Sequence, residues 1–128
     1  MAAIPAGDDK IPVRFSQSLG RLVYRFEAEV PGAGPSVSVR IELRTQERPW
    51  RAAVFVNAPE CKRHRYGDGS LCMWWAGHPK SKRWVLADGL GVLVQYMRKH
   101  LFQEACCRAG LPWLGEEAPG EHRQPVAQ

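Results

Sequence analysis

Residues 21–56 read RLVYRFEAEVPGAGPSVSVRIELRTQERPWRAAVFV, and this stretch decides the fold. Leu22, Tyr24, Phe26, Ala28 and Val30 fall on one side of a two-residue period. Arg21, Arg25, Glu27 and Glu29 fall on the other, with Val23 the exception. That is the pattern of a half-buried strand. Pro31-Gly32-Ala33-Gly34-Pro35 is a breaker cluster and predicts a turn. Beyond it Val37, Val39, Ile41 and Leu43 point inward between Ser36, Ser38, Arg40, Glu42 and Arg44. A second turn, TQERPW, leads to AAVFV, a nearly continuous apolar run that suggests a more buried third strand. Sequential strands with short links favour an antiparallel meander.

Working outward, residues 1–14 hold Pro, Gly, Asp and Ala with little pattern and are expected to be a flexible tail. Residues 57–83 are long for a loop, and such segments are functional or disordered. Leu71, Cys72, Met73, Trp74 and Trp75 are residues that disordered chains avoid, so the loop is expected to fold down onto the sheet. Residues 88–109 predict a helix, with Leu90, Leu93, Val94, Met97, Leu101 and Ala105 on one stripe. Asp88 is the expected N-cap, Arg98, Lys99 and Gln103 the polar face, and Gly110 with Pro112 the stop. Residues 117–128 are polar and predict a second flexible tail, which leaves one domain over 15–116. The fold class expected is α+β, an antiparallel meander of three to four strands packed on a C-terminal helix or helices.

The chain has 128 residues, 45% of them hydrophobic and 24% charged, as in ordinary globular proteins. It has no run apolar enough to span a membrane and no secretory signal pattern, so a cytoplasmic protein without a membrane partner is expected. Four cysteines are too few for a disulfide scaffold, and free thiols are expected in a reducing compartment. The formal net charge of +5 is local. Lys62, Arg63, Arg65, Lys80, Lys82 and Arg83 face a single acid, Asp68, and Cys72 sits among them. A thiol on a glycine-flanked loop beside basic residues is expected to favour the thiolate and to react fastest of the four. The competing expectation is a small buried apolar residue.

His64-Arg65-Tyr66, then Gly69-Ser70-Leu71-Cys72-Met73, then Trp84 and an amphipathic helix, carry a resemblance. The chain resembles the ubiquitin-conjugating-enzyme (UBC) fold, in which a His-Pro-Asn segment precedes a Gly-x-Ile-Cys-Leu segment. The bacterial members look more similar, and Gly110-Leu111-Pro112-Trp113-Leu114-Gly115-Glu116-Glu117-Ala118-Pro119 fits their ending, with His122 displaced. The resemblance covers roughly residues 21–122. It departs in lacking a helix before the first strand and in placing Tyr66 where the family has Asn.

The resemblance implies acyl transfer. The Cys72 thiolate would take a protein C-terminus from an adenylating, ubiquitin-activating-like enzyme and pass it to an amine. His64, Tyr66 and Asp68 are the supporting candidates, Tyr66 as a hydrogen-bond donor and His64, Asp68 or His122 as a base. The implied partners are a ubiquitin-like modifier or the C-terminus of a cyclic-oligonucleotide synthase, and the implied setting is bacterial antiphage defence. No cofactor is expected.

Other readings stay open. A UBC-like scaffold need not be catalytic. Cys61-Lys62-Arg63-His64 is half of a zinc site that Cys72, Cys106 and Cys107 could extend, although adjacent helical cysteines point about 100° apart. Trp74, Trp75 and Trp84 near the basic window would suit nucleic acid, but no known signature accompanies them, so nucleic acid is not expected as the main partner.

Overall fold

The structure is a computed structural model that describes residues 2–6, 9–30, 32, 34–59, 64–74 and 83–113. It is α+β: β1 (Ala2–Ala6), β2 (Asp9–Ser18), β3 (Arg21–Val30), β4 (Gly34–Arg44) and β5 (Arg51–Val56) precede a short 3-10 turn (Leu86–Asp88) and helix α1 (Leu90–Arg108). The strands lie in sequence order, each antiparallel to the next: β2–β5 form a four-stranded meander, within the expected size, and β1 adds to the first half of β2.

β1 and the start of β2 lie where a tail was expected. β2 pairs with β1 from Asp9 to Val13 and with β3 from Arg14 to Ser18. It changes neighbour halfway along, and β1 runs close to α1. Val13 sits just before the handover, fully buried.

The alternation of residues 21–44 is realised. Phe26, Ala28 and Val30 of β3 and Val37, Val39, Ile41 and Leu43 of β4 are buried together with Leu93, Val94, Met97 and Leu101 of α1. Each large side chain so buried stabilises the fold by about 1.5–3 kcal/mol relative to exposure. This two-layer core fixes α1 across one face of the sheet; on the other face Val23, Glu42 and Ala53, opposite one another, are also buried.

The helix differs from expectation at two points. Its N-cap is Gly89, whose φ of +84° few other residues adopt. Asp88 instead accepts a bond from the Val85 amide at 3.0 Å and closes the preceding 3-10 turn. Gln103 is buried rather than on the polar face. The C-terminus ends as expected, with Gly110 at φ +90° and the Leu111 amide donating to the Cys106 carbonyl at 3.0 Å.

Candidate active site

The described part of the long loop is folded down onto the sheet. The Leu71 amide donates to the Val54 carbonyl of β5 at 2.9 Å, and Arg65 and Leu71 form an isolated antiparallel bridge. The Cys72 amide donates to the His64 carbonyl at 3.0 Å. Between these strips Asp68 and Gly69 make the turn. Asp68 Oδ1 accepts from the Ser70 amide at 2.9 Å and from its hydroxyl at 2.7 Å, and Gly69 has φ +92°. Asp68 therefore shapes the loop, and its other oxygen lies 3.7 Å from Arg44.

The loop is anchored from below by a buried ion pair. Arg65 donates to Glu104 of α1 through Nε (3.1 Å) and Nη2 (2.9 Å), with the two side chains 8% and 0% exposed. Nη2 also reaches the Ala58 carbonyl at 3.2 Å. His100 Nε2 faces two acceptors, the His64 carbonyl at 2.9 Å and Glu104 Oε2 at 3.2 Å, so it is the nitrogen that carries a proton. Burial opposes ionisation of Glu104. The hydrogen bonds and charges of His100 and Arg65 outweigh it and hold the carboxyl below the usual range.

Cys72 lies at the loop's inner end as a free thiol, 9% exposed. Burial pushes its pKa up, while a hydrogen bond with the Tyr66 side chain pulls the other way. Burial thus opposes the thiolate that the basic window was expected to favour. Among the basic residues of that window, Arg65 is turned inward onto Glu104, and Lys62, Arg63, Lys80 and Lys82 lie outside the described residues. The free-thiol expectation fails for Cys107, which is disulfide-bonded. Cys72 and Cys106 are free, and Cys61 lies outside the described residues.

Tyr66 stands beside the thiol. Its hydroxyl donates to the Trp74 carbonyl at 2.9 Å, and the Cys72 sulfur approaches the same carbonyl at 3.9 Å. The hydroxyl has one proton and, once the thiol ionises, two acceptors. Burial, the neighbouring Cys72 charge and the bond to Cys72 all push the Tyr66 pKa up, so it stays a donor.

His64 is 2% exposed, and its ring stacks on Trp113 with centroids 3.4 Å apart. What joins it to Cys72 is its carbonyl, which takes the Cys72 amide. His100 meets the same indole edge-on at 5.3 Å. The buried His100, Arg65 and Glu104 were missed as a set in the sequence. A helical stripe of Leu93, Met97 and Leu101 joined by His100, Gln103 and Glu104 was the signal that something polar lay opposite.

The structure brings together Cys72, Tyr66 and the backbone of His64. Cys61 of the zinc half-site considered lies outside the described residues, and among the described residues no group of three His, Cys, Asp or Glu side chains could hold a metal ion. Trp84 is buried, with its Nε1 donating to the Gly89 carbonyl at 2.7 Å. Trp74 packs edge-on against Tyr96, and Trp75 lies outside the described residues. No helix is long and apolar enough to cross a membrane.

Comparison with protein-family models, with curated proteins and with solved structures finds no match.

Proposed function

We propose that this chain is a bacterial UBC-like acyl carrier that holds a protein C-terminus as a thioester on Cys72. The observation that supports it most directly is the pairing of a free, loop-borne thiol with the hydroxyl of Tyr66. The order of a meander, a cysteine loop and a helix is compatible with that layout.

In the loading step Cys72 Sγ attacks the carbonyl carbon of the donor's activated C-terminus, carried as a thioester on the activating enzyme. A new C–S bond forms, the old one breaks, and the activating enzyme's thiolate leaves. In the second step an amine attacks the same carbon, loses a proton and expels Cys72 as the thiolate. Charge gathers on the carbonyl oxygen in both steps, where one donor is worth about 10²–10³ in rate. In this reading Tyr66, whose hydroxyl lies beside Cys72 and donates to the Trp74 carbonyl, supplies that donor where the family has Asn. A raised thiol pKa makes the thiolate scarcer but each thiolate more nucleophilic. The acceptor class and the antiphage setting follow from the resemblance.

The test is incubation with ATP, an adenylating, ubiquitin-activating-like enzyme and its donor protein. A donor-sized mass increase that thiol reagents remove is expected. Cys72→Ala should abolish it, and Cys72→Ser should leave an adduct that resists thiols. Tyr66→Phe should load and discharge slowly. Absence of any adduct on a folded wild-type chain favours the non-catalytic scaffold, for which the near-complete burial of the thiol is the supporting observation.

A further inference from the structure

The face of the sheet turned away from α1 carries six arginines on β2–β5. Their register is direct. Arg14 is opposite Arg25, which is opposite Arg40, and four residues along the strands Arg21 is opposite Arg44, which is opposite Arg51. Like charges directly opposite one another destabilise a sheet. The second row is answered by acids: Glu42 lies 3.7 Å from Arg21 and 3.8 Å from Arg44, Asp68 lies 3.7 Å from Arg44, and Glu47 lies 3.1 Å from Arg51. In the first row Glu42 reaches Arg40 at 3.0 Å, and among the described residues no ion pair involves Arg14 or Arg25. Glu27 beside them already accepts from the hydroxyls of Ser36 and Ser38, at 2.6 Å each.

That row borders a groove of about 340 Å³. Arg14, Arg25 and Arg40 line it against one acid, Glu27, with Phe55, Ser38 and Asn57 completing the wall. The volume falls in the range of small-ligand sites. The Arg40 guanidinium carbon lies 4.2 Å from the centre of the Phe55 ring. The Arg40 side chain is 41% exposed, and exposed guanidinium planes stack nucleic-acid bases. An acidic peptide would use the arginine forks but leave that plane bare. Phosphate uses the forks equally well and brings a base with it.

We infer that this face binds single-stranded nucleic acid, with one nucleotide seated in the groove. Its base lies on the Arg40–Phe55 stack, and the flanking phosphates lie on Arg14 and Arg25. The site is separate from Cys72 and does not depend on the acyl-carrier reading.

The probe is a fluorescein-labelled oligothymidine titrated with the full chain by anisotropy over a range of salt. Two phosphate contacts, on Arg14 and Arg25, predict a log–log salt slope of about −1.4, from about −0.7 per contact on a single strand. Arg25→Gln should weaken binding several-fold and reduce the slope by about one contact. Because it relieves a like-charge row, it should leave the melting temperature unchanged or raise it. Phe55→Leu should weaken oligothymidine more than an abasic strand of the same length. The inference is overturned if Arg14→Gln, Arg25→Gln and Arg40→Gln all bind as wild type. It is equally overturned if replacing Lys62, Lys80 and Lys82 by Gln removes the binding instead, or if polyglutamate competes as well as oligothymidine. A fall of several degrees in the melting temperature of Arg25→Gln would make the row structural.

Discussion

Glu104→Gln isolates the ion pair that ties the cysteine loop to α1. The side chain keeps its volume, so no cavity opens. It loses a carboxylate that accepts from Arg65 twice, at 2.9 and 3.1 Å, and from His100 once, at 3.2 Å. The amide places an NH₂ where one oxygen stood, donor against donor. Arg65 stays 8% exposed, with its Nη2 still donating to the Ala58 and Pro59 carbonyls. Removing one partner of a buried pair costs about 3–5 kcal/mol, chiefly because the other charge is stranded. Single-domain proteins have about 5–15 kcal/mol in total, so the loss is a large fraction of the stability. Urea unfolding at neutral pH, followed by tryptophan fluorescence, should show a much lower midpoint at an unchanged slope. The double change Arg65→Met with Glu104→Met should recover most of that loss, since apolar replacement of a buried pair is often neutral or better. A Glu104→Gln midpoint within about 0.5 kcal/mol of wild type, the scale of a surface change, would refute the reasoning.

Other outcomes follow from the same contacts. Glu104 has a folded pKa below its ordinary 4.5, so its contribution is complete above that value and is lost as pH falls through the lowered one. Acid titration of stability should show that loss in the wild type and a weaker one in Glu104→Gln. Met97→Ala, at a fully buried position between sheet and helix, should cost about 2–5 kcal/mol in the same urea assay. Brief alkylation and peptide mapping should find Cys106 labelled before Cys72, because Cys106 is half-buried and Cys72 is 9% exposed. The rate at Cys72 should still be rising with pH beyond the ordinary 9.0, and Tyr66→Phe should push that rise higher by removing the bond that favours the thiolate. A Cys72 rate that levels off below neutral pH would contradict both statements.

The central strands were legible because one face of each is buried, and burial on one face writes a two-residue period into the sequence. Val37, Val39, Ile41 and Leu43 show it without exception. β1 and the start of β2 were not legible, since Pro5, Gly7 and Asp8 read as breakers and a strand that changes neighbour need not keep one pattern. The Leu19-Gly20 turn ahead of Arg21 was the available signal for a hairpin. At the site, Cys72 and Tyr66 could be placed by sequence. The electrostatics could not, because the direction in which Arg65 points is decided by Glu104, 39 residues away. A charge count along the chain treats Arg65 as part of a basic surface, whereas the fold neutralises it inside. Glu42 shows the reverse, as an outward position buried by the three arginines around it.

The bond from the Leu71 amide to Val54 has a consequence for solution behaviour. β5 is the last strand of the meander, and an uncovered last strand is a template on which a second chain can add. The segment leading into Cys72 lies against that strand and occupies one of its acceptors. The same few residues therefore present the thiol and shield the sheet from its neighbours. Substitutions that loosen the segment should bring concentration-dependent clumping together with any loss of chemistry, and a light-scattering control belongs beside every activity measurement on this loop.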